Sequence, residues 1–214
     1  MQKCTRVGLA AWFLVVVFIF NFAGSRIMAQ TPQPFSADLL SVSPDGVKKT
    51  GKWFFSSPKM RVDMTMPQGK GPFGGNVTMI IDGSSHNGYM LMPQAGMYME
   101  IQATGGRDMQ GMRNLESLSR GGDLCAGNPG STCKKVGAET VNGRSCDKWE
   151  MTDKNAHKSV LWIDQKLYAA IRVNEYDGTV TDLTNVKEGA QDPSLFVVPP
   201  GYRKFDAAAF GSQR

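Results

Sequence analysis

Four methionines lie in pairs on either side of a turn-like Pro-Gln-Ala-Gly in the segment GYMLMPQAGMYME: Met90, Met92, Met97 and Met99. If the turn is the loop of a hairpin, the two pairs face each other across neighbouring strands. Residues two apart share a face of a strand, so all four sulfurs are predicted on one side of a sheet. Met64 and Met66 repeat the same spacing earlier in the chain, and Met60 shares their parity.

This methionine pattern allows three kinds of chemistry. Unbranched thioethers adapt to irregular apolar shapes, which suits either a protein core or a pocket for acyl chains and other lipophilic ligands. Soft thioethers also select Cu(I). Copper sites of this kind usually include a nearby His or Cys, which these strands lack, since His86 lies only at the far turn. Copper is therefore a minor alternative, and we expect no cofactor.

Groups able to catalyse a reaction are scarce. The two histidines, His86 and His157, stand beside turn residues and read as surface loop histidines. Ser84 and Ser85 lie close to His86, but no G-x-S-x-G elbow frames them. The glycine-rich GKGPFGG lacks the Lys-Ser/Thr of a phosphate-binding loop. We therefore expect a protein that is not an enzyme.

The N-terminus has the pattern of an export signal. Basic residues precede a continuous apolar run from Val7 to about Ala23, followed by a short polar stretch. This predicts a signal peptide over residues 1–29, cleaved near Ala29, and an exported, periplasmic protein. The alternative is an uncleaved N-terminal membrane anchor.

Three cysteines follow the signal: Cys125, Cys133 and Cys146. An oxidising compartment favours a disulfide, and Cys125 and Cys133 flank a short loop, CAGNPGSTC. A two-residue turn at Asn142-Gly143 would place Cys146 opposite Glu139, too far along the ladder from Cys133 for a bridge. We predict the pair Cys125–Cys133 with Cys146 free, although spacing alone leaves other connectivities open. No CxxC motif or nearby His completes a zinc site.

Length and charge describe one ordinary domain. Residues 30–214 suit a single globular unit. The 24 Lys and Arg outnumber the 19 Asp and Glu, but the basic residues are scattered rather than clustered with aromatics. Nucleic-acid binding is therefore not indicated.

Short alternating segments separated by turn signals dominate the rest of the chain. Predicted strands are 35–42, 52–55, 59–66, 77–82, 87–92, 97–102, 135–141, 144–152, 159–164, 169–176, 179–188 and 196–198. This spacing predicts a mainly β protein built on an antiparallel sheet or barrel. Residues 67–75, PQGKGPFGG, are expected to form a flexible loop.

One segment has helical rather than strand periodicity. In residues 108–120 the apolar positions are Met109, Met112, Leu115 and Leu118, which form one stripe on a short amphipathic helix. The helix is expected either to cover one end of the core or to form a lid over a cavity.

The order of these motifs resembles a known family. The runs GKWFFSSPKMRVDM, VTMIIDGSSHNGYMLMPQAGMYMEI and the ending LFVVPPGYRKF are similar to the periplasmic lipoprotein-carrier (LolA/LolB-like) superfamily, and to an exported branch of it whose function is unknown. The similarity covers roughly residues 35–206. It implies a curved antiparallel sheet, a half-open β-barrel, with one or two short helices in its mouth and acyl chains on the concave face.

Two details of the resemblance bear on function. The family's ligand-gating arginine corresponds to Arg61, which could equally be a structural ion-pair partner. The carriers begin with a long helix, whereas only about five residues here separate the cleavage point from Phe35. The plug must then be smaller, the 108–120 helix alone, and lipoprotein shuttling itself is less expected than the barrel.

The predicted function is non-covalent binding or carriage of a lipophilic ligand: an acyl chain, a lipid or a lipidated protein. The predicted binding face contains Met64, Met66, Met90, Met92, Met97 and Met99. The alternative is a structural or interaction module of the cell envelope with a fully packed barrel and a protein partner.

Overall fold

The computed structural model describes residues 32–65, 75–85, 87–102, 124–125 and 130–205 of the 214-residue chain. The strands in this part are β1 (Phe35–Val42), β2 (Lys48–Ser56), β3 (Lys59–Thr65), β4 (Asn76–Asp82), β5 (Asn87–Met92), β6 (Met97–Gln102), β7 (Thr132–Val141), β8 (Arg144–Thr152), β9 (Lys158–Asp164), β10 (Ala170–Asn174), β11 (Val180–Glu188) and β12 (Arg203–Lys204). Short 3₁₀ helices occupy Pro93–Ala95 and Pro193–Phe196.

All twelve strands belong to one sheet, in the order β12-β6-β5-β4-β3-β2-β1-β11-β10-β9-β8-β7. Two meanders, β1 to β6 and β7 to β11, are joined side by side because β11 pairs with β1. Every pairing is antiparallel except that of the two-residue β12 with β6. The sheet is curved and its two ends do not pair with each other, so the predicted half-open barrel is confirmed.

Turn chemistry fixes the hairpins. Asn142 and Gly143 both have positive φ, 50° and 78°, which is the backbone of the two-residue turn predicted between β7 and β8. In the methionine hairpin, the 3₁₀ turn Pro93–Ala95 ends at Gly96 in the left-handed region, with φ 58°. Glycine adopts this conformation at no steric cost, so the turn closes tightly.

Most predicted strands are present, with ends shifted by a few residues, but the one predicted at 196–198 is wrong. Phe196 is instead the last residue of the 3₁₀ helix Pro193–Phe196, whose N-cap Asp192 accepts a hydrogen bond from the amide of Ser194. The capping carboxylate and the proline after it both favour a helical turn. Phe196 is buried, as expected for a strand residue, but the 3₁₀ helix rather than a strand places it in the core.

The signal peptide, the 108–120 helix and most of the 67–75 loop lie outside the described residues.

Apolar side chains gather in two clusters. The larger one draws on both meanders and includes Phe35, Ile171 and Leu183, each no more than 1% exposed. The smaller one consists of Ile80, Leu91 and Phe196, with aromatic side chains packed around them. The C-terminal segment, residues 189–205, supplies Phe196 and therefore covers part of the sheet.

Candidate functional site

The methionine hairpin has the predicted register. Met90 lies opposite Met99, and Met92 opposite Met97, across β5 and β6. Directly opposed residues of an antiparallel pair project to the same side of the sheet. The prediction that these four methionines share one face is confirmed.

The same register extends this face across five strands in one row. Trp53 of β2 lies opposite Val62 of β3, and Val62 opposite Met79 of β4. Met79 in turn lies opposite Met90, which faces Met99. Four inter-strand steps of about 4.8 Å make this row roughly 19 Å long.

Neighbouring positions of the same parity widen the row into a continuous surface, which we call the methionine face. It comprises Trp53, Phe55, Met60, Val62, Met64, Val77, Met79, Ile81, Met90, Met92, Met97, Met99 and Ile101. All of these side chains are apolar except for the indole N–H of Trp53. The predicted residue Met66 lies outside the described part of the chain.

Burial is uneven over the methionine face. Met60 and Met92 are 5% and 2% exposed, whereas Met64, Met90 and Met99 are only partly buried. Partly exposed thioethers beside fully buried ones leave apolar surface on which another apolar group could pack.

Two glycines set the shape of this face. A Cβ on Gly51 would lie 2.1 Å from the carbonyl oxygen of Asp63, and one on Gly88 would lie 2.8 Å from Cγ1 of Ile101. Both distances are too short for a real side chain. The backbones of β2 and β3 therefore approach closely only because Gly51 has no side chain.

Arg61 lies on the opposite face, in register with Phe54 and Ile80. Its Nε donates to Oδ1 of Asp63 at 2.9 Å, and its Nη1 donates to the carbonyl oxygen of Leu195 at 3.0 Å. The first bond lies within β3, and the second ties the C-terminal segment to that strand. The geometry favours the structural ion-pair role of Arg61, and its role in ligand gating stays a prediction.

The cysteines are arranged as predicted. Cys125 and Cys133 form a disulfide with their Cα atoms 5.6 Å apart, and Cys146 is free and buried. Cys146 lies opposite Glu139 on β7, whereas Cys133 lies opposite Met151. The cross-strand argument from the turn therefore gave the correct pairing.

The remaining polar groups do not converge on a catalytic arrangement within the described residues. His157 stacks on Tyr176 with ring centroids 4.0 Å apart, and its Nδ1 lies 3.1 Å from Oδ2 of Asp153. Ser84 donates to the turn residue Asp82. No group of three or more His, Cys, Asp or Glu side chains in this part of the chain could hold a metal ion.

A cavity of about 410 Å³ lies away from the methionine face, beside the irregular pairing of β1 with β11. Its lining includes Asp38, Lys52 and Asn185. Hydrogen bonds from Lys52 and then Asn185 lower the pKa of the Asp38 carboxyl. With Asp38 and Lys52 paired across the strands and Lys187 also in its lining, the cavity is polar and charged, which is unsuited to an acyl chain.

Sequence reasoning missed the part of the methionine face contributed by Trp53, Val62 and Met79. Met79 begins the apolar run Met79-Ile80-Ile81, in which the side on which each residue projects cannot be read from alternation. The turn after Phe55 could have revealed Trp53, because a hairpin there pairs Trp53 with Val62.

Among the solved structures, one gives similarity of fold, and two others align more weakly. An uncharacterized conserved protein from Thermus thermophilus aligns with TM-score 0.53 at 10% identity, over 81% of this chain and 90% of that one. Pseudomonas aeruginosa MucB, from a MucA/MucB complex, aligns with TM-score 0.48 at 13% identity, over 81% of this chain and 58% of that one. A putative outer membrane lipoprotein-sorting protein domain from Vibrio parahaemolyticus aligns with TM-score 0.34 at 11% identity, over 78% and 90%.

Sequence comparisons place the chain in a family. No curated protein matches it. Across the described ranges, no helix has the length and apolar character needed to cross a membrane. A family model described as "Domain of unknown function (DUF4412)" matches residues 38–171, which is more than half of the sequence, so the chain belongs to the DUF4412 family.

Proposed function

We propose that this protein binds or carries a lipophilic ligand in the cell envelope and holds it non-covalently on the methionine face. The observation that carries the proposal is the apolar row from Trp53 to Met99, which runs without an ionisable side chain across five strands. The resemblance of the sequence to lipoprotein carriers supports the same function. So does the predicted signal peptide.

The chemistry of the face suits an acyl chain. Binding would be driven by burial of apolar surface, at about 25 cal/mol per Å². Methionine side chains have three rotatable bonds and adapt to chains of different shape, so the face would accept a class of ligands rather than one. Lys52, Arg61 and Asp63 lie on the opposite face, where they do not oppose apolar burial. Lys49 projects to the same side of β2 as Trp53, but it lies near the start of that strand, beyond the apolar row.

A second function is favoured by the burial of Met60 and Met92. If the whole methionine face is packed by the chain itself, it is a core. The protein would then act as an envelope interaction module whose partner is another protein. Val62 and Met79 already pack against the larger core cluster, which is in line with this alternative.

Native mass spectrometry distinguishes the two functions. Under the ligand-binding proposal, protein purified from its own host carries additional masses that extraction with organic solvent identifies as lipid or acylated molecules. Under the alternative, the protein gives a clean unliganded mass.

Substitution of two central methionines tests the location of the site. We expect the double variant Met90→Gln, Met99→Gln to lose lipid binding, because a buried amide without hydrogen-bond partners disfavours an apolar guest. The matched control is Met151→Gln on β8, which lies outside the methionine face. Both variants are first compared with wild type by circular dichroism, and binding is then measured by lipid recovery. Undiminished recovery from a folded double variant would contradict the site.

A further inference from the structure

Trp53 stands at one end of the apolar row. It lies opposite Ala37 on β1 and Val62 on β3, and its ring centroid is 6.3 Å from that of Phe35. The side chain packs against the larger core cluster. Of the side chains that make up the methionine face, only that of Trp53 has a polar group, its indole N–H.

The indole N–H of Trp53 is buried, yet it has no hydrogen-bond acceptor in the part of the chain that the structure describes. The indole of Trp162 behaves differently, because its Nε1 donates to a carboxylate oxygen of Glu139. Buried tryptophan N–H groups usually have a partner, since removing the donor from water without one is unfavourable. Trp53 therefore holds a buried donor, without an acceptor among the described residues, at the β2 end of the apolar row.

The surroundings of this donor determine which acceptor could use it. Its cross-strand neighbours, Ala37 on β1 and Val62 on β3, are apolar, and a buried carboxylate without a paired charge is strongly disfavoured. Lys49, of the same parity on β2, is four residues away, about 13 Å along the strand. Lys52 projects to the other face, where it pairs with Asp38. The acceptor that fits is a neutral oxygen.

We infer that Trp53 recognises the head of an acylated molecule: its Nε1–H donates to the carbonyl oxygen of an ester- or amide-linked acyl chain. The chain itself lies along the row toward Met99. This inference rests on the proposed function and names its ligand class, since neither a hydrocarbon nor a free fatty-acid anion supplies a neutral carbonyl. Trp53 acts as a specificity-determining residue.

Three probes of matched chain length test the inference: dodecane, methyl dodecanoate and dodecanoate. Competition against the native lipid, followed by mass spectrometry, gives their relative affinities. Wild type should bind the ester roughly tenfold more tightly than the alkane, as expected for one additional hydrogen bond in an apolar site. Trp53→Phe keeps an aromatic ring but removes the donor, so its affinities for ester and alkane should become equal. The control Trp162→Phe should retain the preference for the ester.

A second measurement needs no variant. In a ¹H–¹⁵N NMR spectrum of the wild-type protein, the indole proton of Trp53 should move downfield on addition of methyl dodecanoate, while that of Trp162 stays in place. If the ester and alkane bind equally, if dodecanoate binds most tightly, or if the Trp53 resonance does not respond to bound ester, the inference is overturned. If none of the three probes binds the folded wild-type protein, the proposed function fails as well.

Discussion

Cys146 has a free thiol whose position in the fold makes it unreactive. Its side chain is 0% exposed, and its thiol donates to the carbonyl oxygen of Arg144. Burial, followed by the nearby charge of Asp164, raises the pKa of the thiol from 9.0 to about 11. Since the thiolate is the reactive form, Cys146 should be protected from electrophiles in the folded protein.

We therefore expect iodoacetamide at pH 8 to modify Cys146 very slowly until the protein unfolds. A rise in pKa of about two units reduces the thiolate fraction roughly 100-fold, and burial slows the reaction further. Peptide mapping by mass spectrometry after timed labelling, with and without urea, measures the effect. Without reductant the Cys125–Cys133 disulfide stays unlabelled and serves as an internal control. Rapid labelling of the native protein would show that the thiol is accessible.

The face of the strand to which each side chain projects could be predicted from the sequence for some residues only. The facing of Met90 with Met99 could be predicted because a turn with a readable length lies between them. The contribution of Met79 could not, because Ile80 and Ile81 follow it and place apolar side chains on both faces of β4. The lone donor of Trp53 was invisible for another reason: whether an indole N–H finds an acceptor depends on every strand packed around it.

Among the secondary-structure elements, the close pairing of β2 with β3 depends on Gly51. Gly51→Ala should lower the free energy of unfolding by roughly 1–3 kcal/mol, because its Cβ would lie 2.1 Å from a backbone oxygen of β3 and the strands would have to separate. Urea denaturation followed by circular dichroism measures this change.

Gly137→Ala on β7 is the matched control for that substitution. A Cβ on Gly137 would have no heavy atom within 4 Å, so its effect should stay within about 0.5 kcal/mol. If the two variants had equal free energies of unfolding, β2 and β3 could move apart without loss of stability, which would contradict the prediction.

Prediction of the elements was most successful where alternation and turn residues agreed. β1, β5, β6 and β8 have the predicted bounds because each is framed by clear turn signals or by a change of pattern. The 196–198 strand failed because a buried Phe next to valines fits either a strand or a turn, and the Asp-Pro before it decided the outcome. The two residues of β12 are too few to leave a pattern.

At the scale of the whole molecule, the sheet has two faces with different tasks. The methionine face carries the proposed ligand site. Opposite it, the C-terminal segment crosses β3 and β4, where Phe196 packs with Ile80 and Leu91. The bond from Arg61 to the carbonyl oxygen of Leu195 and the pairing of β12 with β6 hold this segment in place.

Phe196→Ala should therefore destabilise the protein without affecting its ligand specificity. Phe196 is 6% exposed, and truncation of a buried phenylalanine costs about 3–5 kcal/mol. Val197, its neighbour in sequence, is 49% exposed, so Val197→Ala should change stability by no more than about 0.5 kcal/mol. Urea denaturation gives both values. Below the midpoint of unfolding, the Phe196→Ala protein should recover as much lipid as wild type, because the packing it loses lies on the face opposite the methionines. Loss of lipid from the folded variant would instead mean that the two faces are coupled through the sheet, and the ligand site could no longer be assigned to the methionine face alone.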